Sequence, residues 1–166
     1  VQWLIVPRHP QRFDEVAALI AQHGFAVSRR STWVDAPPED RGTPPAIWLG
    51  DSLGEMALYY GLSDVALLGG SFAPLGGQNL IEAAACGCPV VMGPSTFNFA
   101  EAADLAQEAG AARRVASVEE AVGVALAMVA DGQGLREMAG AATDFSAAHR
   151  GAVHRTVDAV HALLNT

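Results

Sequence analysis

Lysine is absent from this chain, and its ten basic residues are all arginine. Against 18 Asp and Glu they leave a formal net charge of −8. An acidic chain with no basic block has nothing to hold a phosphate backbone, so nucleic acid is excluded as the main partner. Without lysine there is also no phosphate-binding P-loop. Cysteine is nearly missing: Cys86 and Cys88 stand one residue apart, a spacing poor for a disulfide and short of a zinc set. They read as two small buried thiols beside a turn, in a reducing compartment. No apolar run reaches the length of a membrane span, and no signal peptide is visible. The five His residues show no ligand spacing, no Asp-x-Asp pair is present, and no serine sits in a nucleophile elbow. No metal and no other cofactor is therefore expected.

What is present is apolar and compact. Of 166 residues, 51% are hydrophobic, enough for one domain, 1–166, with a proper core. The chain has no initiator Met and opens inside a strand, so it reads as a piece of something longer. Short apolar runs alternate with helical periodicity: strands in Gln2–Val6, Phe25–Arg30, Ala46–Gly50, Asp64–Gly70 and Pro89–Gly93, with a sixth in Ala112–Val115. Helices are expected over Arg12–Gly24, Gly54–Leu62, Asn79–Cys86 and Asn98–Gly110, and the segment 33–45 reads as a loop. From 118 to 164 a helical tail follows, broken near Gly132–Gly134 and at Gly151. Apolar strands alternating with helices predict an α/β fold, a doubly wound parallel sheet covered on both faces.

In such a sheet ligands bind beyond the carboxyl ends of the strands, and the unusual residues collect there. Strand one exits into Arg8 and His9, between two prolines. Strand three exits into Ser52, Gly54 and Glu55. Strand four exits into Gly70, Ser71, Gly76, Gly77 and Gln78, and strand five into Phe97 and Asn98. A single shared pocket accounts for this better than separate accidents. Paired glycines leave backbone bare for a ring or phosphate, and place a helix start, with Asn79 at its cap, at the crevice. Glu82, the one carboxylate between Leu67 and Phe99, suits two ribose hydroxyls, or else only complements a helix start. Arg8 suits phosphate or carboxylate. His9 is a second donor or a turn cap, Glu55 a ligand or a helix start, and Phe97 and Phe99 walls of a base site or core. The residues alone give a nucleotide-binding α/β domain for a nucleotide-linked substrate.

The segments "VPRHPQRF", "DSLGE", "GGSFAPLGGQNLIEAAACGCPVVMGPSTFNF" and "LAQEAGA", in this order and spacing, resemble the carboxyl-terminal half of the Kdo transferases. These enzymes add 3-deoxy-D-manno-oct-2-ulosonic acid (Kdo) from CMP-Kdo to the lipid A precursor of lipopolysaccharide. The resemblance covers about residues 1–115 and implies the Rossmann-like carboxyl-terminal half of a GT-B glycosyltransferase. It implies that Arg8 meets the CMP phosphate or donor carboxylate, that Gly54, Gly70 and Ser71 line the donor site, and that Glu82 takes the ribose beside Asn79. Phe97 and Asn98 match the family's Phe-Asn-Phe segment. Gln78 stands where the family has His, and Ser52-Leu53 where it has Thr-Met. The resemblance further implies no essential metal, a cytoplasmic, inner-membrane-associated enzyme, and an amino-terminal domain that supplies the general base and the acceptor surface. On that basis the chain is expected to bind CMP or CMP-Kdo without turnover. The rival readings are the nucleotide domain of a UDP-sugar GT-B transferase or epimerase, and a scaffold whose glycines only allow tight packing.

Overall fold

A computed structural model describes residues 1–34, 46–149 and 161. The expected break at Gly151 and nearly all of the loop over 33–45 lie outside the described residues. The chain divides into two compact units, Val1–Ser63 and Asp64–Thr166.

The first unit carries three parallel strands, β1 (Leu4–Ile5), β2 (Val27–Arg29) and β3 (Ile47–Leu49), in the order β1-β3-β2. Leu4 lies opposite Trp48 and Val27 opposite Ile47. Helix α1 (Phe13–Gln22) opens with Asp14 and Glu15, whose charges suit the positive end of the helix. Helix α2 (Met56–Gly61) follows β3. Leu49, Ile20 and Tyr59 form the buried centre of this unit. At its side the Trp33 indole meets Trp48 edge-on at 5.1 Å and donates to Ser28 Oγ at 2.9 Å.

The second unit has its own parallel sheet, β4 (Ala66–Leu68), β5 (Val90–Met92) and β6 (Ala112–Arg114), in the order β4-β5-β6. Every residue of β5 is buried, which is why Val-Val-Met shows no polar alternation: a central strand is covered on both faces. Around it stand α3 (Leu80–Ala85), α4 (Ala100–Glu108), α5 (Val118–Ala130) and α6 (Gly132–His149). Val91, Val115, Ala121 and Met128 make a core cluster between sheet and helix α5. Helix α6 packs on α3 and its turn so closely that a Cβ at Gly87 would lie 3.3 Å from Thr143 Oγ1.

The α/β class and the parallel pairing are as the strand–helix rhythm predicts. One detail differs. The hydrogen-bonded ladders form two three-stranded sheets, each closed around its own central strand, where one sheet was expected. The break in the tail falls at Asp131, beside Gly132–Gly134 as expected. Asp131 Oδ1 accepts from Gly134 N at 3.0 Å, so a carboxylate restarts the helix and both glycines sit in its first turn.

Candidate functional site

Because all ladders are parallel, the strand exits of each unit lie at one end of its sheet. In the first unit β1 runs out through Pro7 into Arg8 and His9, both exposed. The His9 carbonyl accepts from Arg12 N at 2.9 Å and starts a 3-10 turn, so the backbone of His9 caps a turn and its ring stays outside.

The exits of β2 and β3 are tied by charge. Arg29 Nε donates to Asp51 Oδ2 at 2.6 Å, and Arg29 Nη1 to Asp14 Oδ1 at 2.7 Å. Asp51, 2% exposed at its side chain, also accepts from Ser31 N at 2.8 Å and Ser31 Oγ at 2.7 Å. Burial pushes the Asp51 carboxyl up, but the Ser31 hydroxyl, the Ser31 amide and Arg29 together hold it below its ordinary value. A depressed carboxyl contributes stability that is fully present above its unfolded value of 3.8 and is lost as pH falls through the folded value. The urea midpoint of the protein is therefore expected to fall on acidification below about pH 4. In Asp51→Asn the midpoint is lower at neutral pH and its acid slope shallower; an unchanged slope contradicts the assignment.

Beside this clamp, Arg30 Nη2 donates to Glu55 Oε1 at 2.7 Å, and the Ser52 hydroxyl donates to Glu55 Oε2 while meeting the Tyr59 hydroxyl. The Ser52 hydroxyl foremost, then Arg30, holds the Glu55 carboxyl below its ordinary range against the opposing push of desolvation. Gly54, at φ +77°, makes the exposed bend between them. Ser52 and Glu55 thus bond to each other, Glu55 also to Arg30 and Ser52 also to Tyr59. Arg29, Arg30, Ser31 and Asp51 were not picked out from the sequence. The signal was there: an Arg-Arg-Ser run at one strand exit and an acid at the next.

In the second unit the loops after β4 and β5 are stitched into one platform. Ser71 is fully buried; its hydroxyl donates to Leu68 O at 2.5 Å and accepts from Gly93 N at 2.6 Å. The Ser71 carbonyl accepts from Ser95 N at 2.9 Å. Ser71 therefore joins the two exits. Gly76 and Gly77 both sit in the left-handed region, at φ +78° and +72°, where other residues are strained. Gly76 N donates to Ser95 Oγ at 3.1 Å, Asn98 N donates to Gly76 O at 3.2 Å, and Asn98 Nδ2 donates to Leu75 O at 3.0 Å. Gly77 N donates to Gly70 O at 3.3 Å. Asn98 thus fastens the glycine turn, and Phe97 beside it is 66% exposed, which rules out the core reading for Phe97. Phe99 is half-buried.

Asn79 caps α3 as expected. Its Oδ1 accepts from Ile81 N and its Nδ2 donates to Glu82 Oε1, both at 3.1 Å. Glu82 is exposed. Helix α3 has only six residues, too few for a long dipole, and the Asn79 cap already takes Ile81 N of its first turn. Gln78, half-buried, lies over Gly70, with its Cγ 3.7 Å from where a Gly70 Cβ would stand. Gly70 has no positive φ, and that Cβ would meet only ordinary contacts. Neither backbone nor packing demands a glycine there, unlike Gly76. Among the described residues, no group of three His, Cys, Asp or Glu side chains is placed to hold a metal ion. Burial pushes the Cys88 thiol up to about 12, so it is inert packing material, whereas Cys86 is exposed and not the buried thiol expected.

No protein-family model matches the chain. Over 157 residues it is 50% identical to the 3-deoxy-D-manno-octulosonic acid transferase of Bordetella pertussis, covering 95% of this chain and 36% of that protein. It is 38% identical over 156 residues to the transferase of the same name from Haemophilus influenzae, covering 93% of this chain and 35% of that one. Its fold is similar to the crystal structure of the C-terminal CMP-Kdo binding domain of WaaA from Acinetobacter baumannii. That likeness has a TM-score of 0.76 at 31% identity and covers 86% of this chain and 72% of the other. The chain belongs to the 3-deoxy-D-manno-octulosonic acid transferase family. It spans about a third of the length of the curated Kdo transferases it matches. Three of the Kdo transferase segments quoted from the sequence map onto the exits of β1 and β3 in one unit and of β4 and β5 in the other, and the fourth, 105–111, lies at the end of α4.

Proposed function

We propose that this chain is the donor-binding part of a glycosyltransferase that moves Kdo from CMP-Kdo to a hydroxyl of the lipid A precursor. The observation that carries the reading is the likeness to the CMP-Kdo binding domain, at 31% identity with a TM-score of 0.76. The platform of the second unit supports it. Gly70 is a glycine that neither its backbone nor its packing requires, as suits close approach of a ligand beside Gln78. Glu82 is exposed and among the described residues meets the Asn79 amide through Oε1, so its carboxylate suits two ribose hydroxyls. Phe97 offers an exposed aromatic face for the base or sugar. In the first unit, Arg8 is an exposed guanidinium suited to the phosphate or the Kdo carboxylate.

The reaction assigned is a single inverting displacement. The acceptor oxygen attacks the anomeric carbon of Kdo, the bond to CMP breaks, and the departing phosphate carries away the electron pair. Backbone amides of the platform would meet the developing charge, with no metal assigned to that task. The general base belongs to the rest of the enzyme, which also brings the lipid acceptor. Association with the cytoplasmic face of the inner membrane is likewise assigned to the remainder; no helix among the described residues is long and apolar enough to cross a membrane.

Calorimetric titration with CMP and with UDP tests this reading. CMP is expected to bind about tenfold tighter, the worth of one well-made hydrogen bond to the cytosine amino group. Equal or tighter binding of UDP, or no binding of either, contradicts it.

A further inference from the structure

The sequence assigns no role to Arg114 beyond the end of β6. In the structure its guanidinium makes two bonds to different elements. Nη1 donates to Thr96 Oγ1 at 2.8 Å, and Nη2 donates to Asp104 Oδ1 on α4 at 2.7 Å. Thr96 is buried at 6% exposure, whereas Asp104 stands 69% exposed at its side chain. The buried hydroxyl is the consequential partner: a buried polar group left unpaired is costly, whereas an exposed ion pair contributes little.

Thr96 sits in the middle of the segment 93–99, which carries the side-chain and backbone bonds fastening the glycine turn. Ser95 on one side supplies the hydroxyl that accepts from Gly76 N, and its own amide reaches Ser71 O. Asn98 on the other side bonds Gly76 O and Leu75 O. Thr96 itself touches the turn: a Cβ on Gly77 would lie 3.6 Å from Thr96 Cα. Between these two fastenings, the Thr96 hydroxyl is held from outside the segment by Arg114.

We infer that Arg114 is a positioning residue for the donor site, acting through the Thr96 hydroxyl to hold the Gly76–Gly77 turn without touching the donor. The inference rests on the donor-binding reading. A binding loop placed by hydrogen bonds from a second layer loses affinity when that layer is removed, even where the fold survives.

The test compares Thr96→Val, Thr96→Ser and Arg114→Met by CMP titration and by the amide resonances of Gly76, Gly77 and Asn98. Affinity is read at a temperature where each variant is folded by its thermal midpoint. Thr96→Val and Arg114→Met are expected to bind CMP about five- to tenfold more weakly, part of the worth of one charge-assisted hydrogen bond, and to shift those amides. Thr96→Ser, which keeps the hydroxyl, is expected to restore both readouts to nearly the unmutated values. Should Arg114→Met fail to fold, the Thr96 pair still decides. Unmoved Gly76 and Gly77 amides in Thr96→Val, or unchanged CMP affinity in it, overturn the inference. Failure of the unmutated chain to bind CMP overturns the donor reading instead, and the amides then still show whether Arg114 and Thr96 set the turn.

Discussion

Replacing Gly93 by alanine is expected to destabilise the protein by about 3–5 kcal/mol, an overpacking strain joined to the loss of up to two hydrogen bonds. The added Cβ would stand 2.5 Å from the Ser71 carbonyl oxygen, 2.7 Å from Phe72 Cδ1 and 2.9 Å from the Ser71 carbonyl carbon. These neighbours are mostly backbone, and no rotamer change removes them. The same carbonyl accepts from Ser95 N, and the Gly93 amide donates to the Ser71 hydroxyl, so moving the two exits apart breaks the stitching that forms the platform. Urea denaturation reads the change. Gly70→Ala is the matched control: its Cβ meets only contacts of 3.7 Å and beyond, and stability should stay within about 0.5 kcal/mol. Equal midpoints for Gly93→Ala and the unmutated chain would show that the exits are not locked as described.

Glu82→Gln is expected to weaken CMP binding by about 10- to 100-fold while moving the thermal midpoint little. A carboxylate accepting two ribose hydroxyls makes charge-assisted bonds of about 1.5–3 kcal/mol each against neutral ones of roughly half that. In the free protein Glu82 is exposed, and its carboxylate meets the Asn79 amide at 3.1 Å, so the fold has little to lose. A drop in stability with CMP affinity intact would return Glu82 to the plainer role of supporting the helix cap.

Much of this is legible in the sequence. Uninterrupted apolar runs such as Val90–Met92 signal a strand buried on both faces, and Asn79 ahead of an apolar helical stretch signals a cap; both stand where expected. The division into two ladders was not readable, because strands of two or three residues carry no record of which neighbour they pair with. Nor was the use of each polar side chain. Ser71 has the composition of a ligand-binding serine, yet its hydroxyl is spent on Leu68 and Gly93. Arg29, Arg30 and Arg114 read as the tails of strands, although each ends in a bond to a residue 15 to 25 positions away or to one 10 to 18 away. Periodicity reports which face a residue takes. It does not report which distant carboxylate or hydroxyl waits there.

The proposal that a cytidine nucleotide sits on the platform of the second unit is tested most directly by a crystal structure of the protein with CMP. The account predicts both ribose hydroxyls within about 2.6–3.0 Å of the Glu82 carboxylate oxygens, with the nucleotide lying against the loop of Gly70 and the Gln78 side chain over it. CMP bound elsewhere, with Glu82 still on the Asn79 amide, would contradict it.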